Sequence, residues 1–380
     1  MTDWRVPLAD VALEESDIEA VADTYRSGWL SLGPRTEELE QRFADYTGAS
    51  HAIATSSCTA ALHLSCLAAG LGAGDEVIVP SLTFVATVNA IRYTGATPVF
   101  ADVVSLERPW MDPADVARKV GDRTRAVMSM SYGGNPGGLL ELARIAEDSG
   151  LLLLEDAAHA LGSRVDVRSV GTLGAAGSYS FFSNKNAPIG EGGMLVTGDD
   201  GVAERARLLR SHGMTSLSWD RHRGHAFGYD VVALGFNYRI DEPRATLAMR
   251  QLARLDERNA RRDALVAAYA DALSEADALT PALPAEPGCA SAHHLMTVCV
   301  AEGVDRDAVR KAMAEAGVQT SLHYPPVHGF SIYEREGVSL PVTEEYALRA
   351  ITLPLFPQMT MEQLEIVVVE LLAAVDAAGA

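Results

Sequence analysis

The sequence predicts an α/β fold, with a large domain built on a mostly parallel central sheet and a smaller C-terminal α+β domain. Two observations lead to this prediction. Short apolar runs alternate with helical segments between residues 76 and 197, which is typical of strands buried on both faces of a parallel sheet. Beyond residue 250, a long helical stretch and a proline-containing loop precede a second, shorter set of strands and helices.

Three helices are predicted before the first of these strands. The acidic segment 10–27 and the segment 36–47 have apolar residues at helical spacing, and Gly28 is a plausible end of the first helix. The segment 57–71 shows the same spacing, and the glycine-rich residues that follow it break the pattern.

The predicted central sheet is made of six apolar runs, with helices at residues 84–93 and 139–149. The runs are Glu76–Pro80, Thr97–Asp102, Ala126–Ser131, Leu151–Leu154, Ser178–Phe182 and Met194–Thr197. In open α/β sheets, ligands bind beyond the carboxyl ends of the strands. This rule identifies Pro80–Thr83, Asp156–His159 and Phe182–Lys185 as candidate site segments.

The C-terminal part has its own pattern. A helical stretch covers residues 246–272, and three prolines then mark a loop between residues 281 and 287. Further on we predict a strand at 295–300, a helix from about Asp305, a strand at 318–322 and a last helix at 360–378. We therefore divide the chain into domains at 1–250 and 251–380.

Composition excludes several classes of protein. The 380 residues include 31 Lys+Arg and 51 Asp+Glu, a net charge of −20, which argues against nucleic acid and anionic membranes as partners. The four cysteines include no C-x-x-C pair and do not form a disulfide framework. With no metal-ligand pattern, signal peptide or long apolar run, the sequence predicts a cytoplasmic protein without a metal.

Lys185, Asp156 and His159 are the first candidates for chemistry. Lys185 follows a predicted strand and precedes a glycine-rich run, a setting in which a lysine can form a Schiff base; the alternative is an exposed loop lysine. A buried Asp156 needs a partner, which can be a pyridinium nitrogen, or it caps a following helix. His159 lies on the same face if the segment is helical, or it is a core histidine.

The segment 55–62 (TSSCTAAL) is the third piece. Its hydroxyl groups stand where a helix begins, and the free N–H groups and positive dipole of such a helix end attract phosphate. The alternative is simple capping of the helix. The segment therefore indicates either a phosphate site or a structural cap.

These pieces occur together in a pattern that resembles the DegT/DnrJ/EryC1/StrS family of pyridoxal-phosphate (PLP) sugar aminotransferases. The resemblance extends from about residue 7 to residue 371. It rests on seven motifs. The first is the S-x-T-A-A-L run SCTAAL (57–62), and the others are PSLTFVATVNAIRYTGATPVFADV (80–103), EDAAHALGS (155–163), SFFSNKNAPIGEGG (180–193), LGFNYRIDEPRATLAMRQL (234–252), HYPPVHGFSIY (323–333) and LPVTEEYALRAITLPLFPQMT (340–360). It implies the aspartate aminotransferase architecture, known as fold type I.

The resemblance also implies roles for individual residues. Lys185 matches the lysine that binds PLP covalently, with pyridoxamine phosphate as the intermediate form, and Asp156 matches the partner of the pyridine nitrogen. The remaining cofactor-binding matches are Cys58 and Thr59 at the phosphate, Phe84 on the ring, His159 at the phenolate oxygen, Ser180 at the phosphate, and Asn237 reaching the phosphate from the other subunit. Many members have Gly in place of Cys58 and Gln in place of His159. The match at Asn237 implies a homodimer with shared active sites.

The implied reaction moves an amino group from an amino acid, by resemblance glutamate, to an NDP-linked keto-deoxyhexose. Candidate substrate-binding residues are Trp29, His323, Tyr324, His328 and the basic pair Arg221 and Arg223; packing or a solvated loop is the alternative for each. A PLP-dependent sugar-nucleotide dehydratase and a non-catalytic PLP-binding regulator are the rival functions. Lys185 favours transamination, since the family's dehydratases have histidine in its place.

Overall fold

The computed structural model describes residues 4–11, 13–216, 224, 228–334 and 337–379. Their strands are β1 (His51–Thr55), β2 (Glu76–Pro80), β3 (Thr97–Ala101), β4 (Thr124–Met130), β5 (Leu152–Asp156), β6 (Arg164–Val165), β7 (Arg168–Ser169), β8 (Ala176–Ser180), β9 (Gly193–Thr197), β10 (Leu279–Pro281), β11 (Cys289–Ala290), β12 (Met296–Val300) and β13 (Ala350–Leu353). Their α-helices are α1 (Glu15–Arg26), α2 (Pro34–Thr47), α3 (Cys58–Ala68), α4 (Val85–Tyr93), α5 (Pro113–Lys119), α6 (Leu139–Asp148), α7 (Asp200–Arg210), α8 (Glu242–Leu252), α9 (Leu255–Ala272), α10 (Arg306–Glu315), α11 (Pro341–Arg349) and α12 (Met361–Gly379).

The large sheet has seven strands in the order β1-β9-β8-β5-β4-β2-β3. Strands β3, β2, β4, β5 and β8 pair in parallel, whereas β9 pairs antiparallel with both β8 and β1. Only one strand of the seven therefore runs against the others. The predicted α/β fold with a mostly parallel central sheet is confirmed.

Helices cover both faces of this sheet, because successive strand residues point to opposite faces and both sets are apolar. In β2, Ile78 packs into the core that contains Phe43 of α2 and Leu142 of α6. Its neighbours Val77 and Val79 pack into the core on the other face, with helices α3 and α4. The strand is a continuous apolar run for this reason.

A second sheet of three antiparallel strands, in the order β10-β12-β13, lies in the C-terminal part. Its side chains form a separate core with α10 and α12, and Leu265 and Tyr269 of α9 belong to that core. This is the predicted α+β unit. The domain division at residue 250 stays a prediction.

Several details differ from the sequence analysis, which predicts neither the strand β1 nor the helices α5 and α7. The predicted strand at 318–322 is wrong: Val318 and Ser321 each make a single bridge, to Val6 and Thr352 respectively, so this segment only borders the second sheet. The strand that pairs with β12 is instead β13, at Ala350–Leu353, about fifty residues further along the chain. The predicted helix at 246–272 is two helices, α8 and α9.

The described residues show neither a membrane helix nor a metal cluster. Within them, no helix combines the length and the apolar character needed to cross a membrane. The same residues contain no group of three or more His, Cys, Asp or Glu placed to hold a metal ion. All four cysteines are free thiols.

Glu242 connects the helices α2 and α8. Its buried carboxylate, at the start of α8, accepts hydrogen bonds from the backbone N–H groups of Gly33, Arg35 and Thr36, at 2.9, 2.7 and 3.0 Å. It also accepts the Thr36 hydroxyl at 2.6 Å. These are the N–H groups that the first turn of α2 leaves without helical partners, so one carboxylate caps a neighbouring helix.

We expect Glu242→Ala to lower the free energy of unfolding by about 2–4 kcal/mol, because the buried donors of Gly33 and Thr36 lose their acceptor together. The measurement is thermal and urea denaturation of the full-length protein. Glu38→Ala is the matched control: Glu38 lies in α2 but its ion pairs with Arg35 and Arg42 are exposed, so the loss is about 0.5 kcal/mol or less. Equal destabilisation by the two variants would contradict this account.

Candidate active site

A cavity of about 400 Å³ opens beyond the carboxyl ends of β5 and β8. Because parallel strands end at the same edge of a sheet, residues distant in the sequence meet there. Its walls include Ser57, Cys58, Thr59, Phe84, Asp156, His159, Ser180, Asn184, Lys185, Glu191, His323 and Tyr324. Two of the three predicted strand-end segments contribute to these walls directly, and Phe84 follows the third.

The start of α3 forms one end of the cavity. Ser57 caps this helix, since its hydroxyl accepts the N–H of Ala60 at 3.1 Å, and the N–H groups of the first turn have no partner within the helix. Cys58 is the first helical residue and is not among the residues with positive φ, so its backbone conformation does not require glycine. Gly193 does need to be glycine, because a Cβ there would lie 2.5 Å from the Cys58 nitrogen.

Asp156 ends β5 and is 3% exposed. Its carboxylate accepts the Thr87 hydroxyl at 2.6 Å and the Ala158 N–H at 3.0 Å. Burial raises its pKa, while these two donors and nearby Lys185 act in the opposite direction. No ion pair joins Asp156 to a basic side chain in the described part of the chain. A positive partner in the cavity would stabilise the ionised form of such a carboxylate.

Lys185 lies in the turn after β8, where its N–H donates to the carbonyl oxygen of Phe182 at 2.9 Å. Burial lowers the pKa of its amine to about 8, against the opposing effects of Cys58 and Asp156. Its Nζ is 3.3 Å from His294 Nε2. A buried amine with this pKa is available near neutral pH both as a nucleophile and as a proton carrier.

His159 has a protein partner at each ring nitrogen. Its Nδ1 accepts the N–H of Gly133 at 3.3 Å, so Nε2 carries the proton and donates to the Tyr324 hydroxyl at 2.9 Å. Burial and nearby Lys185 hold the pKa of His159 well below its usual value. Burial raises the pKa of Tyr324 well above its usual range. Both side chains are therefore neutral, and the Tyr324 hydroxyl keeps its own hydrogen.

These groups together fit PLP. A helix N-terminus suits the phosphate, the buried Asp156 carboxylate suits a protonated pyridine nitrogen, and the amine of Lys185 suits the aldehyde. Phe84, 55% exposed, offers an aromatic face in the same cavity. The deciding observation is the carboxylate of Asp156, which is buried, accepts two hydrogen bonds and lines the same cavity as the amine of Lys185.

Comparison with known proteins agrees with this geometry. The sequence model of the DegT/DnrJ/EryC1/StrS aminotransferase family matches residues 11–372. The chain belongs to this family. The resemblance inferred from the motifs is confirmed, and the protein is an aminotransferase.

Three relatives illustrate what this aminotransferase is similar to. The spore coat polysaccharide biosynthesis protein SpsC of Bacillus subtilis (strain 168) is 36% identical over 372 residues, 96% of this chain and 95% of that protein. The structure of DesI in the presence of its TDP-sugar product is 32% identical with a TM-score of 0.88, over 100% and 94% of the two chains. The PMP-form of a putative sugar aminotransferase, Spr1654 of Streptococcus pneumoniae, is 26% identical with a TM-score of 0.93, over 98% and 100%.

The structure places the predicted site residues in two groups. The cavity brings together Cys58, Thr59, Phe84, Asp156, His159, Ser180, Lys185, His323 and Tyr324. Trp29 instead donates from Nε1 to the carbonyl oxygen of Leu32, and His328 lies between Ser81 and Glu344. Asn237 is exposed, outside the cavity of its own chain. Arg221 and Arg223 lie outside the described residues.

Sequence reasoning missed four polar residues of the site. Asn184 and Glu191 line the cavity, and both are in the SFFSNKNAPIGEGG motif, where their position beside Lys185 was the available signal. Thr87 donates a hydrogen bond to Asp156, and it lies in the first turn of α4, three residues after Phe84. His294 contacts Lys185 from the segment just before β12, and only its place in a histidine pair there could have indicated it.

We expect Asp156→Asn to raise the Tm of the cofactor-free full-length chain at pH 7. The pKa of Asp156 is raised on folding, so its contribution to stability is complete below the ordinary pKa of aspartate and is lost as pH rises through the folded value. The asparagine does not ionise. The difference in Tm between variant and wild type should therefore grow upward from about pH 4, which thermal denaturation at several pH values measures.

Asp115→Asn is the control, with the opposite sign. Although burial opposes it, hydrogen bonds from Lys119 and Arg118 and from the Asp102 N–H lower the pKa of Asp115. A lowered pKa contributes stability above the ordinary value, and this contribution is lost as pH falls. Asp115→Asn should therefore destabilise the protein at pH 7. If both variants changed Tm in the same direction, the account of Asp156 would be wrong.

Proposed function

We propose that this aminotransferase transfers an amino group from an amino acid, glutamate by family resemblance, to an NDP-linked keto-deoxyhexose, using PLP bound covalently to Lys185. The observation that carries the proposal is that the buried carboxylate of Asp156 and the amine of Lys185, whose pKa is lowered to about 8, line one cavity. Three similarities support a sugar nucleotide as acceptor: SpsC is a spore coat polysaccharide biosynthesis protein, Spr1654 is a putative sugar aminotransferase, and DesI has a TDP-sugar product.

Bound PLP would supply an electron sink for the charge that develops when a proton leaves the carbon that carries the amine. The protein would bind the cofactor and orient it. The first turn of α3, with Thr59 and Ser180, would bind the phosphate; the Asp156 carboxylate would keep the pyridine nitrogen protonated; and Phe84 would cover the ring face. The Tyr324 hydroxyl, whose oxygen His159 fixes, can donate its hydrogen into the cavity.

Lys185 is the proton carrier in this proposal. With a pKa near 8 its amine is present in both protonation states at neutral pH, so it can take a proton from a carbon and return it at another position. Its neighbours His159 and His323 are kept neutral by burial, and the pKa of His323 falls to about 4. The amine is thus the group in this part of the cavity that titrates near neutrality.

The substrate side of the site is less complete in a single chain. His323 and Tyr324 line the cavity and are placed to contact a substrate. The substrate roles of Trp29, His328, Arg221 and Arg223 stay predictions from the sequence. The acceptor's nucleotide would require basic groups, which the predicted Arg221 and Arg223 would supply.

We expect Lys185→Ala to lower the rate of amino transfer from glutamate by at least about a thousandfold, because nucleophile and proton carrier are lost together. Stopped-flow absorbance of the cofactor measures this, and borohydride reduction followed by mass spectrometry locates the covalent link. The chain has three lysines, Lys119, Lys185 and Lys311. Lys119 does not line the cavity, so Lys119→Ala should transfer the amino group at the wild-type rate.

Three results would overturn the proposal in different ways. Full turnover in Lys185→Ala would show that the reaction does not need this lysine. Loss of water from the sugar nucleotide without any amino donor would indicate the dehydratase. Binding of PLP without reaction toward any amino donor would indicate a regulator.

The exposed position of Asn237 supports a homodimer with shared sites. Asn237 follows a stretch in which Val231, Val232 and Leu234 are exposed, Leu234 at 94%. An exposed apolar stretch beside a polar residue that lies outside the cavity of its own chain is what a shared interface would require. We therefore infer that Asn237 of one subunit completes the phosphate site of its partner.

Mixing two inactive variants tests this inference. We expect Lys185→Ala and Asn237→Asp dimers, each inactive, to recover about a quarter of wild-type activity after subunit exchange, since half the dimers are then mixed and each holds one intact site. If Asn237 acted within its own chain, every site in a mixed dimer would carry one defect. No recovery, despite exchange shown by mass spectrometry, would contradict the shared site.

A further inference from the structure

His294 contacts Lys185 and has no part in the reaction described above. It is 5% exposed and lies just before β12, in the C-terminal part of the chain. Its Nε2 is 3.3 Å from Lys185 Nζ, and its ring centroid is 4.2 Å from that of His159. A buried imidazole this close to the amine can either donate to it or accept from it, depending on which nitrogen carries the hydrogen.

The partners of Asn186 decide which nitrogen that is. The Asn186 amide nitrogen lies 2.8 Å from the carbonyl oxygen of Ala292, which can only accept, so the orientation of the amide is fixed. Asn186 Oδ1 then faces His294 Nδ1 at 3.2 Å and must accept from it. His294 therefore carries its hydrogen on Nδ1, and the lone pair of Nε2 points at Lys185.

The chain of hydrogen bonds continues beyond Asn186 in the same direction. The Asn186 amide also donates to Asn259 Oδ1 at 2.8 Å, and Asn259 donates to the carbonyl oxygen of Leu161 at 3.1 Å. Gly162 leaves room for this link, since a Cβ there would lie 2.3 Å from Asn259 Nδ2. Each residue from Lys185 to Asn259 is thus a donor to the next, and a backbone carbonyl ends the series.

The charges around the amine agree with this assignment. Asp156, Cys58, His159, His294 and His323 all interact electrostatically with Lys185. Burial, together with Lys185, keeps the pKa of His294 well below its usual value. The imidazole therefore stays neutral, with its Nε2 lone pair free to accept, whether Lys185 is protonated or not.

We propose that His294 is a positioning residue for Lys185: in the tautomer that Asn186 imposes, it accepts one N–H of the amine and so fixes the direction of the remaining hydrogens and lone pair toward the cavity. The inference rests on the proposed function, in which Lys185 carries a proton between two positions. It assigns Asn186 and Asn259 the task of keeping His294 in the accepting tautomer. Because an acceptor stabilises an ammonium more than a neutral amine, losing it lowers the pKa of Lys185.

The small number of lysines makes the test direct. A full-length protein labelled with ¹³Cε-lysine gives three signals, from Lys119, Lys185 and Lys311, and Lys185→Arg identifies the one of interest. The protein is saturated with pyridoxamine phosphate, so the amine is not covalently bonded, and the shift of its signal is followed against pH. His294→Leu removes the acceptor, whereas His294→Gln keeps an oxygen acceptor near the position of Nε2.

We expect His294→Leu to lower the pKa of Lys185 by about one unit and His294→Gln to restore most of the difference. In kinetics, kcat should fall in the leucine variant, with a shifted pH profile, more than KM for glutamate rises. An unchanged lysine pKa in the leucine variant would overturn the proposal, as would equal shifts in both variants, since those indicate a packing defect.

A second measurement reads the tautomer of His294 in the wild-type protein. In histidine labelled with ¹⁵N, long-range ¹⁵N–¹H correlations distinguish the two neutral tautomers, and His294→Gln identifies the signal. A protonated Nδ1 and a bare Nε2 are expected; hydrogen on Nε2 would overturn the proposal. Failure of pyridoxamine phosphate to bind would instead refute the proposed function, while the tautomer and the lysine pKa in the cofactor-free chain would still test the role of His294.

Discussion

The buried carboxylate of Asp156 is the constraint on which the site depends. A charge at the end of an apolar strand is unfavourable unless donors and a cation surround it. The protein supplies two donors, Thr87 and the Ala158 N–H, and leaves the cation to the cavity. Binding of the cofactor therefore supplies the cation that folding alone does not. Because Asp156 ends β5, the middle strand of the sheet, the cofactor site lies at the end of that strand.

The other groups reach Asp156 because of how the sheet is connected. Parallel strands β5 and β8 end at one edge, so Asp156 and the turn with Lys185 are neighbours although a loop and two short strands separate them in the chain. The reversed strand β9 begins with Gly193, whose missing Cβ allows close approach to the first turn of α3. Sheet order, one glycine and one helix end thus set the arrangement of carboxylate, amine and anion site.

Residues whose role depends on their place next to a strand or helix in the chain could be predicted from the sequence. Asp156, Lys185 and the 57–62 segment each follow a strand or begin a helix, and the pattern around them is local. Thr87, His294 and strand β13 could not be predicted, because each acts through a contact with a distant segment: Thr87 with Asp156, His294 with Lys185, and β13 with β12. The same reasoning explains the wrong strand at 318–322, whose residues pair at single positions only.

His159 and His294 are adjacent, neutral, and fixed in opposite tautomers. Gly133 donates to Nδ1 of His159, so that ring donates from Nε2; Asn186 accepts from Nδ1 of His294, so that ring accepts at Nε2. A proton on either ring would place a second cation beside Lys185 and oppose its protonation. Burial that keeps both rings neutral therefore leaves the positive charge to the lysine amine or to a cation paired with Asp156. His159 thus donates to Tyr324, whereas His294 accepts from Lys185. The tautomer of each ring is set by its other partner, the Gly133 N–H for His159 and the Asn186 amide oxygen for His294.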